Sequence, residues 1–204
     1  MLAAAAAVGL GGTAWWWWTA RGPTPPSTTQ TASNLKFGGP FTLVDHTGKT
    51  VTDRDFIGRH QLIFFGFTSC PAVCPTALQT VTLALEELGF LSDQLWPLFV
   101  SVDPQNDTPK VLADYLTHFD RRIIGLTGTP AQITIAAKAF HIVYKRVRDS
   151  DGSEQVEHTA VFYLMGPDGT FLTHIPPDTS PRKMASIIRS RLVRSSQPAV
   201  ETNT

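Results

Sequence analysis

The sequence predicts an α/β fold in which a mixed β-sheet is flanked by helices on both faces. Two continuous apolar runs, at residues 61–67 and 97–102, have the composition of strands that are covered on both sides. Between them, residues 75–88 carry leucine and valine at helical spacing. Because strands that alternate with helices form sheets covered on both faces, these observations favour a single α/β domain.

The amino-terminal elements of this domain are two short strands, one buried strand and one helix. Residues 41–44 and 50–52 flank a turn at residues 46–49 and are predicted to form a hairpin. The apolar run at residues 61–67 is the third strand. The helix at residues 75–88 begins with a proline, which the first turn of a helix tolerates. Its apolar face is formed by Leu78, Val81, Leu85 and Leu88.

The carboxyl-terminal half continues the alternation and ends in a hairpin and a helix. In chain order, the expected elements are a strand at residues 97–102, a helix at 109–119 capped by Thr108, a strand at 123–126, a helix at 130–140, strands at 142–147, 160–165 and 171–175, and a helix at 181–193. The sequence Gly166-Pro167-Asp168-Gly169 is typical of a tight turn between the last two strands.

The composition argues against several classes of protein. The chain has 204 residues, of which 42% are hydrophobic, and this is enough for one well-packed domain. It has 17 Lys and Arg and 17 Asp and Glu, and this zero net charge argues against a nucleic-acid-binding protein. Two cysteines are too few for a disulfide-rich scaffold or a four-thiolate zinc site. We therefore expect the two cysteines to act as a pair.

The first 20 residues differ in composition from the rest of the chain. Residues 2–20 contain no charged side chain and include four consecutive tryptophans at 15–18. A helix of about 19 residues can cross the hydrocarbon core of a bilayer, and tryptophan favours the membrane interface. We therefore predict a transmembrane anchor at residues 1–20. The alternatives are a cleaved signal peptide, a misassigned start and a buried helix.

The remaining boundaries follow from composition. Residues 21–36 are rich in proline, serine and threonine and are predicted to be a flexible linker. The folded domain is expected at residues 37–194, followed by a polar tail at 195–204.

The clearest signal of chemistry is the pair Cys70 and Cys74, which stands between a predicted buried strand and a helix. The amino terminus of a helix lowers the pKa of a nearby thiol and favours the thiolate. Cysteines four residues apart can face the same side of a first helical turn, where they can form a disulfide or share a soft metal ion. The alternative is that both are small buried apolar residues. Their position in a loop between prolines favours a chemical role.

Among the six histidines, His158 has the most informative position. It precedes the strand at residues 160–165, and the loop before that strand can return to the sheet edge where the cysteine loop lies. Two thiolates and one imidazole form a soft site suited to Cu(I), and Cu(II) can use the same set with an added ligand. A lone histidine is more often a surface or core residue, so the residues alone leave this assignment open.

A second position of interest is Asp103, in the segment VDPQNDTP. The strand before it is expected to run parallel to the cysteine strand and to end at the same edge, where a carboxylate can orient a partner or tune the site. The alternative is a loop that leads into the next helix, with Asp107 and Thr108 as caps.

Three segments together resemble the Sco/SenC family: FFGFTSCPAVCPT, VDPQNDTP and VEHTAVFYLMGPDGTF. The similarity spans about residues 37–193 in the family's order. It implies a membrane-anchored, thioredoxin-like fold and copper binding by Cys70, Cys74 and His158. Many relatives have Asp-His where this chain has Glu157-His158, so the carboxylate is retained. Thioredoxin-like oxidoreductases are also similar in the cysteine segment, but they have a cis-proline where His158-Thr159 stands here.

The resemblance implies a copper chaperone that supports assembly of the copper centre of cytochrome c oxidase. Its expected partners are the copper-bearing subunit of the oxidase and a copper donor protein, with copper as Cu(I) and Cu(II). The alternatives are a thiol–disulfide reductase that keeps the cysteines of the oxidase copper site reduced, and a redox or copper sensor. We expect a bacterial inner-membrane protein whose domain faces the periplasm; the alternative is the mitochondrial inner membrane, facing the intermembrane space.

Overall fold

The computed structural model describes residues 36–148, 154–158 and 160–195. They form a seven-stranded mixed sheet, a separate two-stranded sheet and four α-helices. The strands are β1 (Thr42–Asp45), β2 (Thr50–Thr52), β3 (His60–Gly66), β4 (Leu95–Ser101), β5 (Ile124–Thr127), β6 (Tyr144–Arg148), β7 (Glu154–His158), β8 (Phe162–Met165) and β9 (Phe171–Ile175). The helices are α1 (Val73–Leu88), α2 (Pro109–Leu116), α3 (Pro130–Ala139) and α4 (Pro181–Ser195), and 3-10 turns occupy Asp53–Phe56 and Gly89–Gln94.

The large sheet has the strand order β2-β1-β5-β4-β3-β8-β9. The two apolar runs form its centre, as predicted: β3 and β4 are parallel, in register from His60 opposite Leu95 to Gly66 opposite Ser101. Every residue of β3 is buried, which is typical of a strand covered on both faces. Strand β8 is antiparallel to β3, and β5 is parallel to β4. The mixed sheet is therefore confirmed.

Helices cover both faces of this sheet. On one face, α1, α2 and α4 pack their apolar residues against Leu62 and Phe64 of β3. On the other face, α3 packs against a cluster that contains Ile63 and Phe65, because side chains alternate along a strand. Helix α2 is capped by Thr108, whose hydroxyl accepts a hydrogen bond from the Val111 amide at 3.3 Å.

Several predicted boundaries were wrong. Helix α1 begins at Val73, two residues before the predicted start, so Cys74 lies within its first turn and Cys70 in the loop before it. Helix α2 ends at Leu116, not near residue 119. Strand β7 was not predicted; it pairs with β6 in the separate sheet. Its sequence, EQVEH, lacks the apolar run from which the buried strands were recognised.

The predicted anchor, most of the predicted linker and most of the predicted polar tail lie outside the described residues. In the part of the chain that the structure describes, no helix is long and apolar enough to span a bilayer.

Candidate metal centre

The cysteine segment lies where the two central parallel strands end. Gly66 and Ser101 are opposite each other in the last pair of β3 and β4, and the amide of Val102 donates to the carbonyl of Gly66 at 2.8 Å. The chain then turns away, with Cys70 in the loop and Cys74 in the first turn of α1. The loops after β3 and β4 therefore meet at one edge, as the sequence predicted.

The two cysteines are in direct contact. The backbone amide of Cys74 donates to the sulfur of Cys70 at 3.4 Å, and both residues are thiols with no disulfide between them. Ala72, at the N-cap of α1, has no side chain that can cap the helix, and Pro75 has no amide hydrogen. The sulfur of Cys70 therefore accepts a hydrogen bond from an amide of the first helical turn, where amides have no acceptor within the helix.

The environments of the two thiols shift their pKa values in opposite directions. Burial acts to raise the pKa of Cys70, but hydrogen bonds from the amides of Cys74, Ala72 and Val73 and from the Cys74 thiol outweigh it, so the pKa lies below its usual value. Cys74 is completely buried, and this burial raises the pKa of its thiol far above the usual value. Cys70, which is half-buried, is therefore the sulfur that ionises first.

Gly66 makes room for the buried sulfur. A Cβ atom at this position would lie 2.8 Å from Sγ of Cys74 and 2.6 Å from Cε2 of Phe99. Real Cβ atoms do not approach other atoms so closely. The glycine at the end of β3 therefore lets α1 place Cys74 directly against the sheet.

A buried carboxylate fixes the cysteine loop to the neighbouring strand. Asp107 accepts hydrogen bonds from the amide of Thr68 at 3.0 Å, from the hydroxyl of Thr68 at 2.5 Å and from the hydroxyl of Ser101 at 2.6 Å. It is fully buried. The alternative for this loop named Asp107 and Thr108 as caps: Thr108 does cap α2, whereas Asp107 binds Thr68 and Ser101 instead.

Asp103 lies at the predicted edge and is buried in the loop after β4. Its amide donates to the hydroxyl of Ser101 at 3.0 Å, and its carboxylate accepts from the side-chain amide of Asn106 at 2.8 Å. These hydrogen bonds fix the conformation of the loop after β4. A role for Asp103 in tuning the site stays a prediction.

Tyr115, on α2, was not recognised from the sequence. Its ring packs against Phe99, with centroids 6.0 Å apart, and its buried hydroxyl has no hydrogen-bond partner among the described residues. Burial raises the pKa of this phenol, and the negative charges of Cys74, Cys70 and Asp107 act in the same direction. The Tyr115 hydroxyl therefore lies within electrostatic range of the cysteines and has no acceptor among the described residues.

His158 is the last residue of β7, where its backbone pairs with Tyr144, and not part of a loop as predicted. Its side chain, that of Glu157 and all of Thr159 lie outside the described part of the chain. The strand that follows, β8, starts at Phe162 opposite Phe64, close to the end of β3.

Four other histidines contact different parts of the fold. Nδ1 of His46 accepts the Gly125 amide at 3.1 Å, His60 is buried at the opposite end of β3, and His141 and His174 pack against Phe37. Among the side chains that the structure describes, no group of three or more His, Cys, Asp and Glu is arranged to hold a metal ion.

Comparisons with known proteins agree on one family. The family model described as SCO1/SenC matches residues 29–193. The human protein named "Protein SCO1 homolog, mitochondrial" is 38% identical over 158 residues, which are 76% of this chain and 52% of the human protein. The chain thus spans about half the length of that relative.

Two solved structures extend the comparison. ScoI of Bradyrhizobium japonicum with copper bound is 40% identical, with a TM-score of 0.71, and the match covers 76% of this chain and 98% of that structure. BsSco, a member of the Sco family of cytochrome c oxidase assembly proteins in which a disulfide switch has been identified, is 29% identical, with a TM-score of 0.63 and coverage of 78% and 94%.

Proposed function

This chain belongs to the SCO1/SenC family, and from this we propose that it binds copper through Cys70 and Cys74 and delivers the ion during assembly of cytochrome c oxidase. The solved relative ScoI binds copper, and BsSco is a member of a family of oxidase assembly proteins. Both matches cover more than nine-tenths of the relative's chain. Copper is here the cargo of the protein.

The observation that carries this proposal is the contact between two unequal thiols. The sulfurs of Cys70 and Cys74 are neighbours, and soft thiolate ligands select Cu(I). Cys70 is half-buried and ionises readily, so it can be the first sulfur to meet an incoming ion and the last to release it. Cys74 is buried and loses its proton only at high pH unless a cation replaces it. Metal binding and proton release are therefore coupled at this site.

His158 is proposed as the third ligand. Ala160 and Cys70 both pack against the apolar cluster beneath α1, and β8 begins beside the end of β3. The chain between His158 and β8 is three residues long, too short for His158 to lie far from this edge. Imidazole adds a ligand that Cu(II) accepts, whereas a dithiolate alone favours Cu(I).

Anaerobic copper titration of the full chain in a nonionic detergent tests these assignments. We expect Cys70→Ser and Cys74→Ala to abolish Cu(I) binding against a competing chelator, and His158→Ala to weaken Cu(II) binding and change its thiolate charge-transfer spectrum. His118→Ala, which removes an exposed imidazole, is the control. Full Cu(I) affinity in Cys70→Ser would refute the thiolate pair, and an unchanged Cu(II) spectrum in His158→Ala would refute the third ligand.

A second candidate function is reduction of a disulfide in the oxidase subunit. The lowered pKa of Cys70 supports the first step, in which its thiolate attacks a partner disulfide. In the second step, the Cys74 thiol gives its proton to the partner's leaving sulfur and displaces that sulfur from the mixed disulfide. The partner gains two electrons and two protons, and Cys70 and Cys74 become a disulfide. If this is the main activity, copper-free protein should restore oxidase assembly in the cell, and His158→Ala should be harmless there. A redox or copper sensor would instead bind a signalling partner in only one redox or copper state.

The location is also a proposal. An anchor at residues 1–20 with the domain on the oxidising side of a bacterial inner membrane would bring the site to the oxidase. Alkaline carbonate extraction of membranes tests this, because an anchored protein stays in the pellet at its full length. A shortened protein in the supernatant would favour a cleaved signal peptide.

A further inference from the structure

A second polar site lies at the opposite end of the sheet from the cysteines. His60 is the first residue of β3 and Gly66 the last, so this end is about 20 Å from the edge that carries Cys70. A cavity of about 380 Å³ opens there between the turn that joins β8 to β9 and the last turns of α4. Its wall includes His60, Asp168, Thr170, Arg191 and Arg194.

The helix beside this cavity carries several basic residues and no acidic one. Helix α4 (Pro181–Ser195) contains five basic residues and no acidic one, in a chain whose net charge is zero. The five are Arg182, Lys183, Arg189, Arg191 and Arg194. Basic residues are therefore concentrated on this element, and two of them, Arg191 and Arg194, line the cavity.

The two arginines of the cavity differ in what they contact. Arg194 donates from Nε to the carbonyl of Ser190 at 3.0 Å, which suits a cation near the carboxyl end of a helix. Arg191 is half-buried, and no hydrogen bond or ion pair joins its side chain to any residue within the described ranges. Interaction with the helix carbonyls thus accounts for Arg194 but not for Arg191, which lines the cavity and whose side chain has no partner among the described residues.

One acidic residue opposes this charge. The carboxylate of Asp168 is exposed to solvent, and its Oδ1 already accepts from the amide and the hydroxyl of Thr170 at 3.0 and 2.7 Å. It makes no ion pair with either arginine. Two guanidinium groups against one solvated carboxylate leave the cavity positive.

We propose that this cavity binds a phosphate group through Arg191 and Arg194. Guanidinium presents two parallel N–H donors that match two phosphate oxygens, so arginine pairs are suited to phosphate. The cavity volume lies within the range of ligand sites, roughly 300–1,000 Å³. The phosphate comes either from a free phosphate compound or from the headgroup of an anionic lipid. In the second case, the end of the sheet that carries the cavity lies on the membrane, and the cysteine edge points away from it.

Titration of the full chain in a nonionic detergent with inorganic phosphate, followed by calorimetry at low salt, tests the site. We expect saturable binding to one site, and a loss of at least tenfold in affinity in the double variant Arg191→Gln/Arg194→Gln. The matched control is Arg182→Gln/Lys183→Gln, which removes the same charge from the same helix outside the cavity; its affinity should stay within about twofold. Urea unfolding checks that both variants are folded.

Short-chain soluble lipids distinguish the two sources. Tighter binding of dihexanoyl phosphatidylglycerol than of inorganic phosphate, abolished by the cavity variant, supports the site with a lipid headgroup as its ligand. Binding of inorganic phosphate without binding of this lipid supports the site with a free phosphate compound as its ligand. Equal losses in the two double variants, or no saturable binding of either probe by the wild-type chain, would overturn the proposal.

Discussion

The hydroxyl of Thr68 donates a hydrogen bond of 2.5 Å to Oδ1 of Asp107, a residue 39 positions away in the sequence. Thr68 lies two residues before Cys70, and Asp107 lies two residues before α2. Since Asp107 also accepts from Ser101 at the end of β4, one buried carboxylate joins the cysteine loop, the neighbouring strand and the start of a helix. The position of Cys70 therefore depends on an interaction outside its own segment.

The first prediction concerns this carboxylate. Replacement Asp107→Ala leaves the buried hydroxyl of Ser101 and the amide of Thr68 without their acceptor. Hydrogen bonds to a charged group contribute about 1.5–3 kcal/mol, so we expect the free energy of unfolding to fall by about 3 kcal/mol. Urea unfolding measures it. The control Thr108→Ala removes the adjacent cap and should lose only about 1 kcal/mol. Equal losses in the two variants would contradict the assigned role of Asp107.

The second prediction concerns Gly66. Replacement Gly66→Ala forces a Cβ to within 2.8 Å of the Cys74 sulfur, and overpacking of this kind costs about 1–3 kcal/mol. Gly39→Ala is the matched control, because its nearest neighbour would be at 3.4 Å. In a double-mutant cycle with Cys74→Ala, part of the loss should disappear, since one of the two close contacts is gone. If the losses in free energy of unfolding are strictly additive in that cycle, the added Cβ at position 66 and the Cys74 sulfur are not in steric contact.

The sequence predicted the centre of the fold better than the contacts of the site. Strands β3 and β4 were recognised because their apolar runs can be satisfied only by burial on both faces. The pair Cys70 and Cys74 was recognised because metal binding and disulfide formation both require two thiols at close spacing. Asp107 was considered only as an alternative cap beside Thr108, because its bonds to Thr68 and Ser101 depend on the packing of distant segments. Pro75 was taken for the first helical residue, but it is the third. The true start could not be recognised because Ala72, at the N-cap position, has no side chain that caps a helix.

The third prediction concerns the pH dependence of the two thiols. Because the pKa of Cys70 is lowered, its thiolate fraction at neutral pH exceeds that of an ordinary cysteine, and iodoacetamide should modify it first. The rate should rise with pH and level off at a lower pH than for a free thiol. Cys74, with its raised pKa and complete burial, should react only on unfolding. Mass spectrometry identifies the modified residue.

The variant Cys74→Ala serves as the control for this experiment. It keeps the backbone amide that donates to the sulfur of Cys70 and removes the thiol that does the same. We expect the alkylation midpoint of Cys70 to stay below that of a free cysteine, although less far below. A midpoint at or above that of free cysteine would show that the helix amides do not stabilise the thiolate.

The last prediction concerns Tyr115, whose buried hydroxyl has no partner among the described residues. Leaving such a group buried costs roughly 1–3 kcal/mol, so Tyr115→Phe removes an unfavourable group without opening a cavity in the core. We expect the free energy of unfolding of the reduced, copper-free protein to stay the same or to rise by about 1 kcal/mol. The matched control is Tyr144→Phe, because the Tyr144 hydroxyl lies 3.2 Å from that of Thr134 and its removal breaks a hydrogen bond. That variant should lose about 1 kcal/mol. Urea unfolding of the two variants at one pH separates them, and a loss in Tyr115→Phe as large as in Tyr144→Phe would mean that the Tyr115 hydroxyl has a partner in solution.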